Sequence, residues 1–286
     1  MITNPPFGVS WKSEQKQIEN ESKEFGGRFS IGTPTVRDGS LLFLQHIISK
    51  METQGSRIGI VFNGSPLFNG DSGSGESEIR KWIIENDWLE SVVSLPDQLF
   101  FNTGIPTYIW IVSNKKESKR KGKVQLIDGT SFYKLMRKSL GKKRKEISSH
   151  QIENLNEIYQ NFEENEFSKI FDNEFFGYTK VTIEQPSMKN GEVVTTKGGK
   201  LKPNSKLRDI ERIPLTENIE DYFSREVKPH LPHSWIDREK DKIGYEINFT
   251  KYFYRYKPLR NLLDITSELL ELEKESEGIF KEIINE

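Results

Sequence analysis

Three short apolar runs constrain this chain most: RIGIVF (Arg57 to Phe62), WLESVVSLP (Trp88 to Pro96) and TYIWIVSN (Thr107 to Asn114). Each is short, rich in β-branched and aromatic residues, and bounded by polar or glycine-containing stretches, so each predicts a strand. KVQLID (Lys123 to Asp128) reads as a further strand, and Met1-Ile2-Thr3 as the last residues of one. Between them, Leu41, Leu42, Leu44, Ile47, Ile48 and Met51 follow helical spacing. Ile79, Trp82 and Ile83 mark a second helix, which the polar Asn86-Asp87 ends. Strands alternating with helices predict an α/β sheet. The strands are few, because a doubly wound sheet has about six. Residues 1–130 are therefore expected to hold only the later strands of such a sheet, its first strands missing.

The remaining segments are less regular. Gly8 to Asp38 is polar and reads as a long loop, as does NGSPLFNGDSGSGES. Residues 131–261 read as a polar, helical or irregular region, with Lys189 to Lys206 a hairpin or exposed loop. Residues 262–286 end the chain in a helix, Leu262 to Ile284. Its residues Ile265, Leu269, Leu272, Ser276, Ile279 and Ile283 are spaced 4, 3, 4, 3, 4, a heptad seam with one polar break. Such a seam serves equally to pack the helix on its own domain or to pair it with another chain.

Composition excludes several chemistries. The chain has 286 residues and no cysteine, so disulfides, thiol catalysis and Cys-ligated zinc are ruled out. No apolar run approaches the ~18 residues of a membrane span, and the N-terminus has no signal-peptide pattern. A cytoplasmic protein with no membrane partner is the expectation. Net charge is -1, so no global field recruits a polyanion. The charge is segregated, however. Lys115 to Lys145 holds thirteen Lys/Arg against Glu117 and Asp128, whereas Asp264 to Glu286 holds eight acids and two lysines. Different faces are expected to meet different partners.

The chemistry concentrates in Asn4-Pro5-Pro6-Phe7. Two prolines fix two φ angles, and Pro5 biases Asn4 toward an extended conformation. The result is a stiff turn presenting an amide, a backbone carbonyl and an aromatic ring. That set suits a planar amino group on an aromatic ring: Asn4 and the Pro5 carbonyl each accept one N–H, and Phe7 stacks on the ring face. A turn joining strand to helix with no ligand is the plain alternative. Among the histidines, His46 sits on a helix and reads as a packing or capping residue. His230 and His233 lack a carboxylate cluster, so no metal is expected. The basic runs ESKRKGK and RKSLGKKRKE suit phosphate contacts or a solvated surface equally.

The motif and several later blocks in the same order resemble one family. Asn-Pro-Pro-Phe/Tyr is the signature of amino-methyltransferases, chiefly DNA adenine-N6 methyltransferases. RFSIGTPTVRDGSLLFLQHIISKM, RIGIVFNGSPLFNG and LPDQLFFNTGIPTYIWIVSNK resemble the region after that motif in modification subunits of type I restriction-modification systems. IEDYFSREVKPHLPHSWIDREKDKIGYEINFTKYFYRYKPLRNL resembles their C-terminal region. The resemblance implies a Rossmann-like methyltransferase sheet and methyl transfer from S-adenosylmethionine to a flipped adenine. It implies catalytic roles for Asn4, Pro5, Pro6 and Phe7, and it makes Phe101 a second candidate for the target-base pocket. Implied partners are double-stranded DNA, a specificity subunit docked on the C-terminal helix, a second modification subunit and a restriction subunit.

In that family the cofactor loop is a Gly-rich turn preceding the Asn-Pro-Pro motif. Gly70 to Glu76 is glycine-rich but lies far from its strand, and reads as a connector. No cofactor residue is assigned. The expectation is the C-terminal part of such an enzyme, a fragment, split half or truncated product inactive alone. A DNA- or subunit-binding module without chemistry is the second reading. A protein-glutamine methyltransferase is the third, against which Phe7 and the long C-terminal region count.

Overall fold

The computed structural model describes the chain except residues 190, 191, 197, 255, 257, 285 and 286, and describes residues 277–284 by their helix alone. Met1–Phe253 form one compact unit and Tyr254–Glu286 a second. The first unit opens with β1 (Ile2–Thr3), α1 (Gln15–Lys23), α2 (Ser40–Ile48) and β2 (Arg57–Phe62). Next come α3 (Ser65–Phe68), α4 (Gly75–Glu85), β3 (Leu89–Leu95), β4 (Thr107–Ser113) and β5 (Lys123–Asp128). A hairpin of β6 (Lys134–Leu140) and β7 (Lys143–Glu146) precedes α5 (Ser149–Asn161) and β8 (Ser168–Asp172). The unit continues through β9 (Gly177–Glu184), β10 (Met188–Lys189), β11 (Glu192–Val193) and β12 (Asp209–Pro214). It closes with α6 (Ile219–Tyr222), β13 (Trp235–Ile236), β14 (Lys242–Tyr245) and α7 (Phe249–Phe253). The second unit holds the helix α8 (Leu262–Ile284).

The expected α/β sheet is present, six-stranded in the order β1-β2-β4-β3-β5-β8. It is mixed: β1 with β2 and β3 with β5 run parallel, while β4 is antiparallel to both its neighbours. Side chains alternate across it with period two. Ile58, Ile60, Phe62, Trp110, Val112, Val124 and Leu126 face a core closed by Leu41, Leu44 and Ile48 of α2 and Ile79, Ile83 and Ile84 of α4. Val93, Leu95 and Ile127 face the other side, where Leu155 and Ile158 of α5 pack. Strand β3 is buried along its whole length, as a strand covered on both faces must be. Each fully buried Ile or Leu contributes about 1.5–3 kcal/mol.

Local signals place the helix ends. The Asp38 carboxylate accepts the Ser40 N–H at the start of α2, and Ser74 accepts the Ser77 N–H at the start of α4. Gln151 accepts the Ser148 N–H before α5. Asn86 caps α4, and Asp87 then takes φ 57°, reversing the chain into β3.

Three expectations change, the first being that NGSPLFNGDSGSGES is not all loop, since it carries α3 and the first residues of α4. The Gly8–Asp38 stretch is not a plain loop: it carries α1 and a small core of Trp11, Phe29 and Leu42. Trp11 ties the stretch shut by donating from Nε1 to Thr35 O (3.0 Å) and from its backbone N–H to Val36 O (3.1 Å). The region expected to be helical or irregular within 131–261 holds a second sheet, with β9 flanked by β12, β13 and β14. Its strands GYTKVTIE and DIERIP mix Thr, Lys and Glu with few apolar residues, so no run announces them. Their apolar face is completed by Phe223 and Val227, distant in sequence. In the 189–206 stretch, β10 pairs with β11 as a short hairpin, with residues 190, 191 and 197 outside the described set. The helix α8 spans the predicted residues, and its seam positions Ile279 and Ile283 lie outside the described side chains.

Candidate functional site

The Asn-Pro-Pro-Phe turn leaves the carboxyl end of β1, whose register with β2 is Ile2↔Gly59 and Thr3↔Ile60. Ligands in open α/β sheets sit outside the carboxyl ends of the strands. Pro5 is buried and anchors the turn, Asn4 and Pro6 are exposed, and Phe7 is half-buried. Gly8 follows at φ 60°, in the left-handed region that glycine enters without strain. Val9 then accepts the Gly39 N–H (3.0 Å), which returns the chain to α2. Among the described residues, no hydrogen bond engages the Asn4 side chain or the Pro5 carbonyl. Both are therefore free to accept.

The turn forms one wall of a cleft of about 670 Å³. Asn63, just past the end of β2, and Phe100, Asn102, Thr103 and Ile105 from the β3–β4 connection form the rest. No ionisable side chain lines it. The surface combines flat apolar and aromatic groups with amide and hydroxyl edges. It suits a neutral planar ring carrying donors and acceptors, and it supplies acceptors for an amine where an acid–base reaction would need a titrating group.

The β3–β4 connection is bonded to the β6–β7 hairpin. Gln98 O accepts the Arg144 and Lys145 N–H groups (2.9 and 3.2 Å), and Phe101 O accepts the Lys142 N–H (2.9 Å). Gln98 takes φ 56°, unusual for a residue with a Cβ. The Asp97 carboxylate pairs with Lys145 and holds that ammonium above its usual value. The Lys145 ammonium also lies 4.0 Å from the centre of the Tyr133 ring.

The sequence-derived residues divide accordingly. Asn4, Pro5, Pro6 and Phe7 all line the cleft. Phe101 does not: it is 66% exposed and its ring rests beside Gly141 of the hairpin turn. Its neighbour Phe100 is on the cleft wall, in a connection tightened by the Phe100↔Thr103 bridge. Asn63, Asn102 and Thr103 carry no local pattern, and only the convergence of two loops brings them to Asn4.

The glycine-rich Gly70–Glu76 stretch does not fit a methyl donor's cradle. A Cβ on Gly70 would meet Ser74 Oγ at 2.2 Å, and one on Gly75 would meet Thr33 O at 1.9 Å, so the chain already fills the space against these glycines. Glu76 from this stretch accepts the Thr35 N–H at 2.6 Å. It is a connector into α4. A second cavity, about 340 Å³, lies on the other side of Pro6 among Trp11, Phe29, Leu42 and Phe43. On its rim Arg28 donates to His46 Nδ1 (2.7 Å) and pairs with Glu21, which holds the Glu21 carboxyl below its usual value.

Comparison with known proteins bears on the family. The N-6 DNA Methylase family model matches residues 1–185. The type I restriction enzyme MjaIX methylase subunit of Methanocaldococcus jannaschii is 26% identical over 196 residues, covering 68% of this chain and 33% of that protein. The type I restriction enzyme HindI methylase subunit of Haemophilus influenzae is 38% identical over 128 residues, 45% of this chain and 26% of that protein. The chain spans about a third or less of these relatives. The crystal structure of the type I restriction-modification methyltransferase subunit from Streptococcus thermophilus matches with a TM-score of 0.51 at 24% identity, over 61% of this chain and 34% of that one, which bears on the fold alone. With the turn, the cleft and the family match over residues 1–185 in agreement, the chain belongs to the N-6 DNA methylase family, and the relatives it resembles are type I restriction methylase subunits.

Proposed function

We propose that this chain is the target-base part of an adenine-N6 DNA methyltransferase component of a type I restriction-modification system. The observation that carries this reading is the pair of unengaged acceptors, Asn4 Oδ1 and the Pro5 carbonyl, on a neutral cleft flanked by Phe7 and Phe100. An adenine amine is a poor nucleophile, since its lone pair is delocalised into the ring. Accepting both its hydrogens favours a more pyramidal nitrogen and stabilises the charge that develops there. The base reaches such a cleft only when flipped from the duplex, and an aromatic face offsets the lost stacking. S-adenosylmethionine supplies the methyl group when bound, and no residue of this chain is assigned to hold it. The proposed setting is a cytoplasmic assembly with a specificity subunit docked on α8, a second modification subunit and a restriction subunit.

The test is methylation of adenine in duplex DNA by a complex that contains this chain. Asn4→Ala should lower the methylation rate by about a hundredfold or more and leave donor binding intact. A variant complex that methylates at the normal rate refutes the role given to Asn4 and favours a DNA-binding module without chemistry.

A further inference from the structure

We propose that the β6–β7 hairpin is a phosphate clamp gripping the DNA backbone beside the nucleotide held in the cleft, an inference that rests on the DNA reading above. The hairpin reads KLMRKSL, Gly141-Lys142, then KRKE. Among the described residues, Arg137, Lys138, Lys142, Lys143 and Arg144 form no ion pair with a carboxylate, whereas Lys145 pairs with Asp97 and Lys134 lies across the ladder from Glu146. Clustered like charges of this kind attract an anionic partner.

Shape and position specify that partner. The hairpin turns tightly, with Gly141 at φ 60° in the first of two turn positions. Its seven-residue strand β6 reaches roughly 24 Å at ~3.4 Å per residue. A two-stranded ribbon of this kind fits a DNA groove. The hairpin is also not free to wander. Lys142, Arg144 and Lys145 donate their backbone N–H groups to Phe101 and Gln98, the segment that puts Phe100 on the cleft wall. A nucleotide whose base enters the cleft leaves its flanking phosphates at the mouth, next to that segment. Backbone bonds thus fix the hairpin to the cleft, and the Lys142, Lys143 and Arg144 side chains remain available for phosphate oxygens.

The experiment is fluorescence anisotropy of a short labelled DNA duplex with the full chain, titrated at several salt concentrations. Each phosphate contact adds about 0.9 to the slope of log affinity against log salt. Replacing Lys142, Lys143 and Arg144 together by Gln should lower that slope by about 2.7. Between 50 and 200 mM salt the wild type should then lose about 40-fold more affinity than the variant. Lys142→Arg/Lys143→Arg/Arg144→Lys, which keeps the charge, should keep the wild-type slope. Lys119→Gln/Lys121→Gln/Lys123→Gln on the other basic run should keep it too. An unchanged slope in the first variant, or an equal loss in the Lys119 set, overturns the clamp and leaves the methyltransferase reading standing. Wild-type chain that binds no duplex at low salt overturns the clamp and leaves the methyltransferase reading to the Asn4→Ala test in the complex. A slope loss in the hairpin variant combined with normal methylation by Asn4→Ala supports the clamp and rejects the adenine site.

Discussion

Replacing Arg80 by methionine removes one buried guanidinium that holds distant segments together. Arg80 is 1% exposed within α4. Its Nε donates to Tyr245 O (2.6 Å) at the end of β14, and its Nη1 to Pro66 O (3.1 Å) and Asn69 O (2.7 Å) beside α3. Burial pushes its pKa down to about 10, so it remains protonated at neutral pH. Methionine matches the stem and abandons these carbonyls. A hydrogen bond from a charged donor contributes about 1.5–3 kcal/mol. Relief of the buried charge offsets part of the loss of these three bonds and of the longer one from Nη2 to Gly70 O (3.4 Å), which leaves a net destabilisation of about 3–5 kcal/mol. At about 2–4 °C per kcal/mol for a unit of this size, the melting temperature should fall by roughly 6–20 °C. Urea unfolding followed by tryptophan fluorescence reads the same loss as a lower midpoint at unchanged slope. Arg80→Lys, which keeps the charge and loses the fork, should fall between the two. A loss below about 1 kcal/mol in Arg80→Met would refute the reasoning, because it would mean those carbonyls find other partners or never depended on Arg80.

Phe100→Leu should slow methylation by a complex containing this chain by about 5- to 150-fold, the loss of one base–aromatic stack, while Phe101→Leu should leave the rate within about twofold. Equal effects from the two substitutions would contradict the placement of Phe100 on the cleft. Asp87→Asn keeps a residue type that tolerates the left-handed backbone at that position and removes a charge that receives Lys116 Nζ, Gly122 N–H and Asn173 Nδ2. Burial raises the Asp87 carboxyl, but those three donors outweigh it and hold it below its ordinary value of 3.8. A folded-state pKa below the unfolded one gives stability that is complete above the unfolded value and lost as pH falls through the folded one. Asp87→Asn should therefore cost about 1–3 kcal/mol at pH 7, and the gap to wild type should close as pH drops below about 4. A gap that stays constant down to pH 2 would show that shape, not charge, matters there.

The α/β class was legible because it rests on local period. RIGIVF and KVQLID became strands over the same residues, and the helices at Ser40 and Gly75 carry their apolar spacing in the sequence. Asn4 to Phe7 was legible because two prolines restrict the backbone whatever surrounds it. The second sheet was not, since β9 and β12 are polar strings whose burial depends on Phe223 and Val227. The choice between Phe100 and Phe101 was also out of reach. Adjacent identical residues carry the same local signal, and which ring meets the cleft follows from the folded connection, bridged at Phe100↔Thr103 and bonded to a hairpin some forty residues later. The same holds for Arg80, whose burial comes from contacts distant in sequence, among them its bond to Tyr245 O. By itself, then, the sequence determined the strand-and-helix alternation and the stiff turn with its amide and carbonyl acceptors, because backbone sterics and side-chain periodicity act over a few residues. Only the tertiary structure decided which walls face that turn and which charge is buried, because those depend on contacts between residues far apart in the chain.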